Sequence, residues 1–166
     1  MARLRWLIMA VAVLLVALVG YKLAVGGRGG EIERLAERQL FVTTPDKTYA
    51  LTVEVAATPE QQERGLMFRK HMAENHGMVF LFPKASDGGF WMKNTKIPLS
   101  IAFFDKKGVI VRIMQMQPCT LPQGQSERCP VYYPRVAYIG ALEVNLGWFA
   151  KRGVKEGDSI SLGPWK

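Results

Sequence analysis

This 166-residue chain predicts a β-dominated α+β fold: a small mixed or antiparallel sheet, barrel-like or folded over, with two short helices. About seven short runs of β-branched and aromatic residues recur between turn signals. Two brief stretches carry helix-start signals. The alternating strand and helix units of a parallel α/β sheet are missing.

The chain opens with Arg3 and Arg5 ahead of an uncharged run, Trp6 to Tyr21, which Lys22 closes. That is the layout of a secretory signal peptide. It also suits an N-terminal membrane anchor. Helix over that run reaches roughly 24 Å against a hydrocarbon core of about 30 Å, and Lys22 can snorkel so that Leu23 to Val25 extend it. Either reading keeps the arginines inside and puts the remainder on the extracytoplasmic side, the periplasmic face of the inner membrane. The expected organisation is residues 1–27 as signal peptide or anchor, 28–39 as a linker or juxtamembrane segment, and 40–166 as one globular domain.

Each element has its own signal. Glu31 to about Arg38 is charged and reads as a short juxtamembrane helix. The strands around "LFVTT" and "YALTVEVA" flank a Pro45-Asp46-Lys47 turn and form a first hairpin. Thr58 caps a helix with Pro59 at its first position and Gln61 three residues after the cap; Glu60 and Arg64 are spaced for an ion pair. Gly77 to Phe82 is an apolar strand stopped by Pro83. "LSIAFF" and "VIVRIMQM" form a second hairpin, with Asp105 opening the turn and Gly108 supplying its left-handed residue. Val136 to Val144 is a further strand. Asn145 is placed to cap a turn of helix from Leu146 to Arg152, with Gly153 just beyond its end, and "SISLG" is the last strand.

The formal charge of +8 becomes +5 once Arg3, Arg5 and Lys22 are set aside, and the remaining cations are scattered. No nucleic-acid partner is expected from this pattern. Cys119 and Cys129, nine residues between them and surrounded by prolines, suit one local disulfide in an exported chain. The spacing is not that of a redox C-x-x-C pair.

Chemistry concentrates in "GGFWMKNTKIPLS". If Phe90 to Lys93 is extended, Trp91 and Lys93 share a face, and Pro98 forces the chain out of the ladder. Asn94 and Thr95 then lie at a bend, where an indole, an ammonium, an amide and a hydroxyl converge. Trp91, Lys93 and Asn94 suit a polar, ring-shaped ligand. The alternative is a core tryptophan beside a self-capping Asn turn. Glu143 shares a strand face with Ala137, Ile139 and Ala141, all apolar, and needs a partner there. Arg64 or Lys93 would supply an ion pair; an acid or base role is the alternative. His71 and His76 lie five apart in a loop and lack the spacing of a helical metal pair. No metal or cofactor is expected.

The strings "ERGLMFR", "GMVFLF", "FWMKNTKIPLSIAFFD" and "ALEVNLGWFAKRGVKEGD", in that order, resemble the family known as domain of unknown function 192, from about Leu40 to the end. The resemblance implies a compact β-rich fold, often behind an export signal, with paired cysteines before "CPVYYP" in some members. It supplies no reaction. It marks Arg64, Trp91, Lys93, Asn94, Asp105 and Glu143 as positions matching family motifs. Ser100 departs from the pattern, which usually shows an acid after "IPL"; Asp105 is the candidate to replace that charge.

Together these expectations describe an exported, membrane-tethered, non-enzymatic binding domain. Its ligand is a polar small molecule or envelope glycan, held near Trp91, Lys93 and Asn94. An enzyme on an envelope saccharide, using Glu143 or Asp105, is one alternative. A structural partner of an envelope protein complex is the other.

Overall fold

The computed structural model describes residues 35–119, 121 and 124–164. The expected signal or anchor, and the linker up to residue 34, lie outside the described residues. Among the described residues no helix is long and apolar enough to cross a membrane.

The chain forms β1 (Glu37–Thr43), β2 (Thr48–Ala56), α1 (Pro59–Arg64), β3 (His76–Ser86), β4 (Phe90–Trp91), β5 (Leu99–Phe104), β6 (Ile110–Met116), β7 (Val131–Tyr132), β8 (Tyr138–Asn145), α2 (Trp148–Lys151) and β9 (Ser159–Leu162). Seven strands make one mixed sheet in the order β6-β5-β8-β3-β2-β1-β9, and β4 and β7 form a separate two-stranded ribbon. Only β2 and β3 pair in parallel. α1, between them, is the crossover that a parallel pair requires. The β-dominated expectation is met, but as an open sheet and not a closed barrel.

The sheet is nonetheless curled until its two edges touch. Val109 bridges Ser159, and Ile160 N–H donates to Gly108 O at 2.7 Å. Gly108 stands at φ +80°, and a Cβ there would lie 2.2 Å from Ile160 O. Only glycine serves both the turn and that contact. Asp105 completes the turn by accepting from the backbone N–H groups of Lys107 and Val109, each at 2.9 Å.

Alternation along β3, β5 and β8 sends side chains to two buried layers. Val79, Ala102, Leu142 and Val144 enter one, with Leu40, Val53 and both residues of the Trp148-Phe149 pair. Met78, Phe80, Ile101, Phe103 and Ala141 enter the other, with Leu66 and Met92. Residues from both sheet edges, Ile110 and Ile160, meet in the first layer, so it fills the inside of the curl.

Several local expectations are corrected. Glu37 and Arg38 belong to β1, not to a juxtamembrane helix. Strand β3 runs through Pro83 to Ser86 because its pairing with β8 is interrupted between Leu81 and Ser86, where no ladder donor is needed. The same interruption turns Ile139 into the first layer while Ala141 stays in the second, so Ile139 does not share the face of Glu143. Asn145 ends β8 and donates to the carbonyls of Met72 and Ala73, so it does not cap α2. That helix starts instead at Gly147, whose N–H donates to Ser100 Oγ at 2.9 Å. Glu60 forms no ion pair with Arg64. Its carboxylate is held below the usual range by hydrogen bonds from its own backbone and from Thr58, at the helix N-terminus.

Candidate functional site

A cavity of about 350 Å³ opens on the second layer of the sheet. Its walls are Leu66, Phe80, Phe82, Phe90 and Tyr138, and Glu143 and Thr95 also face it. Pro59, Glu63, Arg64, Gly88 and Trp91 are its exposed residues and mark the lip.

Three segments build that lip. The first is α1, whose N-terminus is a capping box: Gln61 N–H donates to Thr58 Oγ1, and the Gln61 side chain accepts from the Thr58 backbone N–H. The helix buries none of its own side chains, and Gln62 Nε2 ties it to Leu81 O at 2.8 Å. The second is the glycine pair with β4. A Cβ on Gly89 would lie 2.4 Å from Val131 Cγ1 and 2.9 Å from the Tyr133 ring, so glycine lets β7 close over β4. Tyr138 fastens this segment from below, its hydroxyl donating to Gly88 O at 2.9 Å. The third is the bend after β4. Asn94 adopts φ +55°, a left-handed conformation that asparagine tolerates, and its carbonyl accepts from Phe68 N–H at 2.8 Å.

The disulfide segment holds the ribbon from outside. Cys119 and Cys129 are bonded, with Cα atoms 5.7 Å apart. Glu127, within the bridged loop, pairs with Lys93, and Val131, just beyond it, pairs with Trp91. The bridge fits an oxidising compartment.

Glu143 sits on the floor. It lies in β8 between Met78 of β3 and Ile101 of β5, and is 4 % exposed. No hydrogen bond or ion pair to its carboxyl occurs among the described residues. Burial pushes its pKa up to about 8, so the acid form predominates at pH 7. The expected ion pair with Arg64 or Lys93 does not form: Lys93 is engaged by Glu127, and Arg64 stands at the lip.

The six candidate residues therefore divide. Arg64, Trp91 and Glu143 line one cavity. Lys93 and Asn94 stand behind its rim and hold it in shape, so the four polar groups of that stretch do not converge on one ligand. Asp105 is spent on its turn, five residues and about 16 Å along β5 from Ser100. It cannot stand in for an acid at that position. Ser100 is itself buried and accepts the first N–H of the α2 turn, a bond that an acid would also accept.

Sequence reasoning placed the Thr95 hydroxyl at the site, and Thr95 does line the cavity; it missed Tyr138 and the aromatic walls Phe80, Phe82 and Phe90, which stand out from no local pattern along the chain. His71 and His76 are both exposed and line a second, smaller cavity of about 270 Å³ beside the Arg69–Glu54 ion pair. No group of three or more metal-ligating side chains occurs among the described residues.

This is a β-dominated domain, one seven-stranded sheet with a two-stranded ribbon, carrying a ligand-sized, mostly apolar cavity on one face. The chain belongs to the family DUF192, "Uncharacterized ACR", whose model matches residues 41–162. Among solved structures it is similar to a "putative transcription regulator" from Sinorhizobium meliloti 1021, at 33% identity and a TM-score of 0.72, covering 80% of this chain and 98% of that one. It is also similar to a protein of unknown function from Novosphingobium aromaticivorans DSM 12444, at 28% identity and a TM-score of 0.65, covering 79% of this chain and 89% of that one. No curated protein matches the chain.

Proposed function

We propose that the chain is an exported, membrane-tethered binding domain whose cavity takes a small molecule. One observation carries the proposal: a buried, unpartnered carboxyl faces a cavity of about 350 Å³. An interior of ordinary packing leaves few voids larger than a water molecule and does not leave a polar group unpaired in one. Small-molecule sites span about 300–1,000 Å³, with apolar walls and few polar groups, which is the composition here. Export is supported by the charged and apolar layout of residues 1–27 and by the Cys119–Cys129 bond. The regulator description of the S. meliloti relative is not extended to this chain. Among the described residues the two α-helices have six and four residues, too short to read a major groove.

A second reading is an enzyme that uses Glu143 as a general acid on the bound molecule. The carboxyl's protonation at neutral pH favours it. Turnover of a bound compound by the native chain but not by Glu143→Gln is its signature.

The binding proposal is tested by thermal unfolding of the oxidised full chain against envelope glycans, peptidoglycan fragments and small aromatic compounds. A ligand at a hundred times its dissociation constant adds about 2.7 kcal/mol, a shift of roughly 5–15 °C for a domain of this size. The shift is expected to shrink in Trp91→Ala and persist in Lys93→Ala, since only the first residue lines the cavity. No shift with any compound would overturn the proposal and leave the exposed Phe68, Trp91 and Tyr133 as a protein interface.

A further inference from the structure

The inference rests on the binding reading above and specifies its ligand. Four features of the cavity bear on what it can hold. Its one deeply buried ionisable carboxyl is Glu143, on the floor, with no ion-pair partner among the described residues. Met78 and Ile101, its cross-strand neighbours, are apolar. Tyr138, the other titratable group in the wall, already donates its hydroxyl hydrogen to Gly88 O. At the lip, Glu63 and Arg64 carry opposite charges and so favour neither sign of ligand.

We infer that the cavity selects an uncharged molecule with an aromatic or aliphatic body, whose carbonyl or hydroxyl oxygen accepts a hydrogen bond from the Glu143 carboxyl. A carboxyl in its acid form has one O–H to donate, and that hydrogen has no acceptor among the described residues. An oxygen acceptor satisfies it without bringing charge into the cavity. An ammonium group would have to be stripped of water and would draw the carboxyl into its ionised form, placing an ion pair against Phe80, Leu66 and Phe90. A carboxylate ligand on the floor would meet the lone pairs of Glu143, while Arg64, the cation of the lining, stands at the lip with Glu63. The neutral acceptor is the partner that leaves no buried group unpaired. The body of the ligand has aromatic surfaces to meet, because Phe80, Phe90, Phe103 and Tyr138 already pack edge to face around the cavity floor.

Three probes of similar size separate these possibilities: acetophenone, ethylbenzene and benzylamine. Each is titrated at pH 6.5 into the isotope-labelled full chain, following the amide signals of Phe80, Gly89 and Glu143. Acetophenone is expected to bind at least tenfold more tightly than ethylbenzene, and benzylamine no more tightly than ethylbenzene. In Glu143→Gln, whose amide still donates a hydrogen bond, the tenfold preference for acetophenone should persist. In Glu143→Leu it should vanish while ethylbenzene still binds. Equal affinities for acetophenone and ethylbenzene in the native chain would overturn the inference. So would tightest binding of benzylamine, lost in Glu143→Gln. Either result would leave the cavity as a binding site for other chemistry. No binding of any probe, together with no thermal shift across the wider panel, would remove both the inference and the binding reading.

Discussion

Neighbouring residues of β8 meet opposite surroundings. Leu142 and Val144 enter a closed layer under Trp148 and Phe149, whereas Glu143, between them, faces an open cavity. The polar groups of the closed layer are satisfied: Ser100, paired with Val144, accepts from Gly147 N–H where α2 begins at the layer's edge. There the Trp148 indole N–H donates to Asn75 Oδ1, and Arg152 stacks on the indole with its guanidinium 4.4 Å from the ring centroid. The cavity layer keeps a void far larger than the 10–15 Å³ or so that admits one water, and a carboxyl without a partner. One face of the sheet holds the fold together, and the other carries a feature that destabilises it. Stability given up at a defined point is what a binding site in a small domain looks like.

The largest expected effect falls on the closed face. Trp148 is 2 % exposed and packs edge to face with Tyr49 and Phe149. Trp148→Ala should lower stability by about 3–5 kcal/mol, read from the midpoint of urea unfolding at constant slope. Probe affinity per folded molecule should not change, because no residue of that layer lines the cavity. A loss below about 1 kcal/mol would break the comparison.

Next is the pH dependence of the cavity face. Unfolded, Glu143 releases its proton near pH 4.5; folded, it holds that proton to about pH 8. Between those values the unfolded state binds fewer protons, so stability falls as pH rises. The carboxyl's contribution is fully present below pH 4.5 and lost by the time pH has passed 8. Glu143→Gln removes the dependence. The variant should gain on the native chain from pH 4.5 to 8, reaching up to about 5 kcal/mol above pH 8. Paired denaturant titrations at pH 4, 6.5 and 9 check it. A constant difference would mean that the carboxyl ionises in place, with water or a cation admitted to the floor.

This asymmetry was only half legible in the sequence. The hairpin at Asp105 and Gly108, the capping box at Thr58 and the disulfide all follow from neighbours a few residues apart, where local chemistry decides the outcome. Glu143 stood out because a carboxylate among apolar neighbours breaks the strand pattern. Its environment did not show, because the cavity is made by Leu66, Phe80, Phe90 and Tyr138, which lie far apart along the chain. Lys93 was placed in the site by its sequence neighbours; in space, Glu127 takes its charge. Pro83 looked like the end of a strand because a proline cannot serve a ladder, and the irregularity that frees it from one depends on the partner strand. Pairing across the sheet, unlike turn chemistry, is not written locally.

The smallest effect sharpens the comparison most. Helix α1 buries no side chain, so its place on the lip depends on its ends and on the Gln62 bond to Leu81 O. Thr58→Ala removes the cap that accepts from Gln61 N–H, at a cost of about 1 kcal/mol. The unfolding temperature should fall by only a few degrees. Hydrogen exchange should nevertheless quicken at Gln62 and Gly65, whose amides bond back to Thr58 O and Gln61 O. Acetophenone affinity should drop several-fold, since Gln62 and Arg64 would no longer be held at the cavity. Trp148→Ala should do the reverse, with a large global loss and no change at the cavity. If Thr58→Ala instead left exchange and affinity untouched, the lip would be held by β4 and the disulfide segment alone. The division between a face for stability and a face for binding would then run through the ribbon and not through α1.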